Sequence, residues 1–293
     1  MFFDEEMLLD LRLNIMNKYV DKFIITEATY MHSGKNKKLV FDINKFSKFK
    51  DKIIYNVVDK QPVDIEIINK DDDNETKGNK LIHNSIKREN YQREMAKKLL
   101  EDAQEEDIIL INDIDEIPNL DGVNFNNINN KIIIFQQKTF YYKFNLIYEN
   151  LTWHGSKACK KKFFISPQWL RNVKHNKYSM WRLDLIFSKR KYTDIYYVKN
   201  GGWHFTNIKS PEDLEKKFEN FLHHQDFEAS GLKLEDIKKM VKNNKILYDL
   251  GIDRRDYKWN GTKTLAKVDI SEFVPIAAGL AALFIIMLIL KPR

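Results

Sequence analysis

Apolar residues recur along this chain with two spacings, one typical of helices and one typical of strands. Leu8, Leu11 and Ile15 follow one another at intervals of three or four, which predicts a helix with one apolar face. Asn84 or Ser85 is a candidate N-cap for a second helix. The predicted helices cover residues 4–20, 84–103, 211–222 and 234–248.

Short apolar runs between these helices predict strands at residues 23–25, 53–55 and 108–111, and the alternating stretch 131–144 indicates longer strands or a hairpin. The run 108–111 is short and apolar throughout, so we expect it in the middle of a sheet. The polar stretch 69–79 is predicted to be a solvated loop. Strands that alternate with helices indicate a Rossmann-like α/β layer in the first half of the chain.

An uncharged apolar run extends from Phe273 to Leu290. At about 1.5 Å per residue, a helix of this length approaches the ~30 Å hydrocarbon core of a bilayer. Because such a helix has no polar face, we favour a membrane anchor over a buried core helix. We therefore expect a folded domain at residues 1–262, a linker at residues 263–272 and a single-pass transmembrane anchor at residues 273–290.

Composition adds less than this pattern does. The formal net charge of +7 fits an anionic ligand, a membrane surface or nucleic acid, but the lysines are spread along the chain. No nucleic-acid-binding motif accompanies the charge, so no nucleic-acid partner is expected. The single cysteine, Cys159, excludes an intrachain disulfide and favours a reducing compartment, so we expect the domain to face the cytoplasm.

The acidic turn, residues 113–116, follows the predicted strand 108–111 and is the most informative segment. Asp113 and Asp115 stand two residues apart, and Pro118 is expected to prevent a clean continuation of the strand. In open α/β sheets ligands collect at the carboxyl ends of strands, and paired carboxylates there suit Mg²⁺ or Mn²⁺. A solvated acidic loop is the alternative. The chain has neither standard glycine-rich phosphate loop, so an enzyme using a nucleotide diphosphate would need such a metal.

The segment 201–206, Gly-Gly-Trp-His-Phe-Thr, follows another strand-like stretch. Its paired glycines allow a close backbone approach, while Trp203 offers a stacking face and His204 an imidazole ligand. A core tryptophan beside a hydrogen-bonded histidine is the alternative interpretation.

Taken in order, several segments resemble glycosyltransferase family 17, the family of the bisecting β-1,4-mannosyl-glycoprotein N-acetylglucosaminyltransferase. The similarity spans roughly residues 2–245. The matching segments are EMLLDLRL at 6–13 with VDKFIITE at 20–27, ENYQR at 89–93, DIDEIP at 113–118, GWHF at 202–205 and KFENFLH at 217–223.

The resemblance implies that residues 1–262 form a catalytic domain with a Rossmann-like nucleotide-diphospho-sugar transferase (GT-A type) fold and a mixed central sheet. It also implies a divalent metal, an inverting mechanism and a UDP-linked donor, with UDP-GlcNAc the expected one. The acceptor would be a glycan or glycoprotein. The eukaryotic members carry an N-terminal anchor, whereas the apolar segment of this chain comes last, so their N-glycan acceptor does not transfer directly.

Each candidate site residue has an expected role. Mn²⁺ or Mg²⁺ would be held by Asp113 and Asp115 with His204 as a third ligand, and would offset charge on the departing nucleoside diphosphate. The residues expected to contact the nucleotide sugar are Glu27, Arg93, Asn112, Asp113 and Trp203. Arg93 has a structural pair with Glu89 as its alternative. Glu116 and Asp226 are both candidates for the base that takes the acceptor's proton, and the sequence does not choose between them.

Two other classes of protein share parts of this pattern. A haloacid-dehalogenase-type phosphatase also places two aspartates after a buried strand, but it wants Thr or Val where this chain has Ile117. A non-catalytic, membrane-tethered carbohydrate-binding protein could keep the same fold.

Overall fold

The computed structural model describes residues 4–179, 181–185, 187–220, 227, 231–246 and 265–269. The α-helices are α1 (Glu6–Met16), α2 (Asn74–Glu94), α3 (Pro167–Asn172), α4 (Pro211–Asn220) and α5 (Leu234–Lys242). Short 3₁₀ helices span Ile43–Lys52, Met95–Leu100, Phe125–Asn127, Lys161–Phe163 and Leu183–Leu185. The predicted anchor at 273–290 and the candidate base Asp226 lie outside the described residues. Within the described part, no helix has the length and apolar character needed to cross a membrane.

The strands form three hydrogen-bonded sheets in the described part of the chain, rather than the single central sheet expected. They are β1 (Phe23–Ala28), β2 (Ile53–Val58), β3 (Ile108–Ile111), β4 (Glu116–Pro118), β5 (Ile132–Phe135), β6 (Gln137–Tyr141), β7 (Leu146–Trp153), β8 (Lys157–Lys160), β9 (Ile195–Val198), β10 (Gly202–Thr206) and β11 (Ala266–Lys267). The sheet orders are β1-β2, β11-β7-β6-β10-β4 and β3-β8-β5-β9.

These sheets combine parallel and antiparallel neighbours. The pairs β1–β2, β5–β9 and β6–β10 are parallel, and the remaining pairs are antiparallel. The mixed α/β class is therefore confirmed. The central sheet is divided because β1 and β3 do not pair but line the two sides of a cleft of about 720 Å³.

Two local predictions were wrong. β3 lies at the edge of its sheet, with β8 as its hydrogen-bonded neighbour, and not in the middle. Helix α2 begins at Asn74, because Asp73 caps it by accepting a 2.7 Å hydrogen bond from Thr76 N. The expected cap residue Asn84 instead lies buried within the helix, where its amide bonds the backbone N–H and carbonyl of Glu66.

Helix α1 is apolar on two sides, not on the single face predicted. Leu9 and Leu13 pack in a cluster with residues of β1 and β5, whereas Leu8 and Leu11 pack in another with residues of β4, β6 and β10. Burial of both sides fixes the helix among strands of all three sheets. Arg12 lies between these apolar positions and is thereby directed toward the acidic turn.

Candidate active site

The acidic turn leads from the end of β3 into β4, whose first residue is Glu116. β4 pairs antiparallel with β10, so that Glu116 lies opposite His204. As expected, β3 does not continue cleanly: it ends at Ile111, and Pro118 is the last residue of the separate strand β4, an edge strand that tolerates a missing N–H. The fold therefore brings together the two segments that the sequence singled out.

Asp113 lies between two arginines. Its Oδ1 atom is 3.2 Å from Arg93 Nη2, and its Oδ2 atom accepts a 2.6 Å hydrogen bond from Arg171 Nη2. Burial by itself would raise the pKa of Asp113, but the positive charges of Arg171 and Arg93 outweigh burial and lower that pKa below its usual value. The carboxylate is charged, and arginine occupies both of its oxygens.

Arg93, near the end of α2, has two further partners. Its Nη2 group donates a 2.8 Å hydrogen bond to Glu89 Oε1, and its Nη1 group donates to Gln168 Oε1. The pair with Glu89 weighed as an alternative is therefore present, together with the contact to Asp113. Arg93 ties α2 and α3 to the acidic turn.

Arg171 is the residue of this site that the sequence did not reveal. It lies in α3, which starts with Ser166 as N-cap and Pro167 in the first turn. Its Nη1 group donates to Glu116 Oε2 at 2.9 Å, and its Nη2 group lies 2.7 Å from Glu116 Oε1. With the bond to Asp113, one guanidinium bridges two carboxylates, which a lysine could not do in the same geometry. These carboxylates raise the pKa of Arg171 against the opposing effect of burial.

Glu116 is fully enclosed at the centre of this network. Besides Arg171, it accepts hydrogen bonds from Trp153 Nε1 at 2.6 Å, from Asp113 N at 3.1 Å and from Ser156 Oγ at 3.3 Å. Gly155 makes this possible, because a Cβ atom there would overlap both Glu116 Oε1 and Trp153 Nε1. Since both carboxylate oxygens are occupied and buried, the geometry favours a positioning role for Glu116 over that of a base.

Arg12 holds the backbone of the acidic turn. It donates to Asp113 O at 2.9 Å and to Asn112 Oδ1 at 2.7 Å. Asn112 Nδ2 in turn donates to Glu116 O at 3.0 Å. Burial, opposed by the carboxylates, lowers the pKa of Arg12 to about 10. The side chain of Asn112, expected at the nucleotide sugar, is thus bonded within the protein at both its oxygen and its nitrogen.

Asp115 and His204 form the part of the site that suits a metal. His204 Nε2 lies 3.6 Å from Asp115 Oδ2, and the imidazole stacks on the Trp153 indole with ring centroids 4.2 Å apart. Burial raises the pKa of Asp115, but His204 reverses this and the net shift is downward. The Nδ1 atom of His204 is buried with no hydrogen-bond partner among the described residues. A carboxylate suits Mn²⁺ and Mg²⁺, and an imidazole is a common ligand of divalent transition metals.

The third expected ligand, Asp113, does not join that pair. Among the described residues, no group of three or more His, Cys, Asp and Glu side chains has the arrangement of a metal site. Asp113 is held by the two arginines instead, so Asp115 and His204 fit a metal while Asp113 does not fit in this arrangement.

Lys157 bonds the backbone at the end of α3, next to Arg171. Its Nζ group donates to Arg171 O at 2.5 Å and to Val173 O at 2.6 Å, the carbonyls at the C-terminal end of α3. Burial, together with the charge of Arg171, lowers the pKa of Lys157 to about 7. A buried amine thus fixes the helix end from which Arg171 reaches the acidic turn.

Glu27 was expected at the ribose or base, yet its carboxylate is buried and bonded within the protein. It pairs with Lys37, accepts hydrogen bonds from Val40 N at 2.9 Å and Phe41 N at 3.1 Å, and accepts another from Tyr55 OH at 2.7 Å. These contacts hold the segment 37–41 against β1 and β2. They satisfy the buried carboxylate of Glu27 entirely within the protein, so its burial requires no ligand.

Trp203 belongs to the core, which agrees with the alternative interpretation of this segment, and its role as a sugar-stacking face stays a prediction. It is 6% exposed and packs with Leu8, Leu11 and Ile117. The neighbouring glycines do allow a close approach, but to the protein itself: a Cβ at Gly202, where φ is +115°, would overlap the backbone of β4. The indole that faces the site is that of Trp153.

His32 is a further residue that sequence reasoning missed. It lies close enough to Glu89, Arg93 and Asp113 for their charges to act on it, and burial lowers its pKa. Ser166 and Pro167 are a recognisable helix-start signal, but no local pattern shows that Arg171 meets carboxylates 55 and 58 positions earlier.

Residues 1–260 match the family model described as Glycosyltransferase family 17. No curated protein and no solved structure matches the chain significantly.

Proposed function

Since the chain belongs to glycosyltransferase family 17 and is a glycosyltransferase, we propose that it transfers N-acetylglucosamine from UDP-GlcNAc to a hydroxyl of a glycan or glycoprotein. The proposal includes inversion at the transferred sugar and a GT-A-type fold. Because this membership identifies the chain as a glycosyltransferase, it favours this function over both rival classes, the phosphatase and the non-catalytic binding protein.

The observation that carries the proposal is the meeting of the acidic turn with β10. Asp115 and His204 face each other at 3.6 Å, next to an aspartate that two buried arginines hold. Guanidinium groups are well suited to phosphate oxygens. A donor diphosphate could therefore engage Arg93 and Arg171 while its sugar extends toward the neighbouring residues.

We assign the metal, Mn²⁺ or Mg²⁺, to Asp115 and His204. Such an ion would supply positive charge to the leaving nucleoside diphosphate. In this assignment Asp113 keeps Arg93 and Arg171 oriented toward the site, which differs from the direct ligand role expected from its motif. Trp153 holds the imidazole of His204 by stacking on it, so that only its edge can reach a ligand.

Proton removal from the acceptor needs a base that can reach the acceptor hydroxyl. Glu116 is enclosed by Trp153, Ser156 and Arg171, and we assign it the task of orienting Arg171 and the turn. Asp226 stays the other candidate for the base. Attachment to a membrane through residues 273–290, with the domain on the cytoplasmic side, also stays a proposal from the sequence.

The test uses the full chain and a panel of UDP- and GDP-linked sugars. Hydrolysis or transfer is measured with Mn²⁺, with Mg²⁺ and with a chelator, and Mn²⁺ binding is measured separately by calorimetry. We expect UDP-GlcNAc to be used and the chelator to abolish turnover. Asp115→Asn should lower turnover by more than about tenfold. Even substitution of a residue that only hydrogen-bonds a metal ligand commonly lowers metal affinity or activity by that factor.

Asp121→Asn is the matched control. Asp121 is exposed and bonds Tyr19 and Lys18 away from the turn, so turnover and Mn²⁺ binding should stay unchanged. Full activity of Asp115→Asn with undiminished Mn²⁺ binding would refute the metal assignment. Turnover of another donor, with UDP-GlcNAc unused, would refute the choice of sugar while leaving glycosyl transfer intact.

A further inference from the structure

The loop of residues 174–191 displays large apolar side chains to solvent. Trp181 is 91% exposed, Phe187 is 87% exposed and Leu183 is 76% exposed. These three side chains fall within one short stretch of the sequence, and large apolar side chains exposed together mark sites of contact with another phase or molecule. None of the three side chains takes part in the network around the acidic turn.

The base of this loop is held in place. Lys174 N donates a 2.7 Å hydrogen bond to Arg190 O, which closes the loop, and Trp169 Nε1 donates a 2.6 Å bond to Lys189 O. Ser188 Oγ accepts hydrogen bonds from the backbone N–H groups of Arg190 at 3.2 Å and Lys191 at 3.1 Å. The apolar side chains are therefore presented from an anchored support.

The charges around these side chains have one dominant sign. The basic residues of the loop are Lys174, Lys177, Arg182, Lys189, Arg190 and Lys191. Its acidic residue is Asp184, which is paired with both Arg182 and Lys191. Lys189 and Arg190 are exposed beside Phe187.

A second exposed apolar region lacks this feature and serves as a comparison. Val63 and Ile67 are also largely exposed, but the charged residues of the stretch 59–67 are mostly acidic. They are Asp59, Asp64 and Glu66 against the single basic residue Lys60, and Asp64 and Glu66 both pair with Lys87. Apolar exposure alone therefore does not single out the 174–191 loop; its combination with cationic neighbours does.

We propose that the 174–191 loop docks on an anionic lipid surface, with Trp181, Leu183 and Phe187 entering the interfacial region. Tryptophan is enriched at that depth because its ring is amphipathic, and cationic side chains beside apolar ones are attracted to anionic headgroups. The uncharged run from Phe273 to Leu290 in the same chain agrees with a bilayer nearby. This interaction is separate from sugar transfer and does not depend on it.

The test places a probe at position 187 of the full chain. Cys159, the single native cysteine, is buried in the sheet, so Phe187→Cys can be labelled selectively with an environment-sensitive fluorophore. Val63→Cys, which is exposed and apolar but has acidic neighbours, is the matched control. Both labelled proteins are reconstituted into phosphatidylcholine vesicles with and without phosphatidylglycerol, and with brominated lipid as a quencher.

We expect the probe at 187 to shift to the blue and to be quenched by brominated lipid when phosphatidylglycerol is present, whereas the probe at 63 stays in water. Lys189→Glu with Arg190→Glu should reduce the shift, and added salt should weaken it by screening. A probe at 187 that stays accessible to aqueous iodide overturns the proposal. So does an equal shift in both kinds of vesicle, or a shift produced by a soluble glycan or protein without lipid.

Discussion

Replacing Arg171 by methionine tests the network around the acidic turn. The substitution keeps an unbranched apolar stem but removes the charge that bridges Asp113 and Glu116. Glu116 would then be a fully enclosed carboxylate whose remaining partners are neutral donors. Breaking a buried ion pair by removing one partner costs about 3–5 kcal/mol, so the free energy of unfolding should fall by about that amount at neutral pH.

The pH dependence of that loss gives the prediction a sign. In the native protein the pKa of Asp113 is lowered, so its pairing stabilises the fold at neutral pH, and this contribution is lost as the pH falls below about 4. Without Arg171, Asp113 keeps Arg93 but loses the larger of the two charges that lower its pKa, so the variant has less of this contribution to lose. The difference in stability between native protein and variant should therefore shrink as the pH is lowered.

The assay is denaturant unfolding of the full chain in detergent at neutral pH and at pH values below about 4. Arg182→Met is the matched control, because Arg182 bonds Asp184 through two nitrogens in an exposed setting. Exposed pairs contribute little, so no comparable loss is expected there. Adding Glu116→Gln to the Arg171 variant should recover part of the loss. Equal effects at Arg171 and Arg182, or no relief from Glu116→Gln, would refute this account of the network.

The remaining predictions concern the supports of the site. Gly155→Ala should separate Trp153 from Glu116 because its Cβ overlaps both, and thermal unfolding should show a lower Tm. Lys157 has a folded pKa of about 7, below its unfolded value, so its contribution rises with pH; between pH 7 and pH 9 the native protein should gain at most about 2–3 kcal/mol that Lys157→Met does not, as measured by urea unfolding. Glu27→Gln should lower stability by about 1–3 kcal/mol because Lys37 loses its buried partner, while the KM for the donor stays constant; a raised KM would restore Glu27 as a nucleotide contact.

Local pattern predicted much of the secondary structure. The strand at 108–111 has the bounds expected, and α1, α4 and α5 lie within the predicted helices. The same pattern misplaced the start of α2. Residues 74–79 are polar and have no apolar stripe, so the pattern does not indicate that the helix begins there, after its N-cap Asp73. It also placed β3 in the middle of a sheet, since residue type reports burial and not which strand lies alongside.

The site was predictable only where its residues share a short segment. Asp113 and Asp115 stand out by type and spacing in one short segment and His204 in another; the fold brings Asp115 and His204 together, whereas Asp113 pairs with arginines. Whether a carboxylate faces a metal or an arginine depends on partners far along the chain, which spacing does not reveal. Arg171 was therefore not predicted. Trp203 was the indole predicted to act beside the histidine, whereas the indole that stacks on His204 is that of Trp153.

The dependence of Glu116 on distant partners has a consequence for how the protein is made. Trp153 and Arg171 lie 37 and 55 positions after it in the chain. During synthesis the N-terminal part leaves the ribosome first, so the acidic turn emerges well before the arginine that neutralises it. Until then Asp113 and Glu116, of which Glu116 becomes fully buried, stay without Arg171 and should remain hydrated. Packing of the network around the acidic turn is therefore expected to wait for α3 and to be a late event in folding.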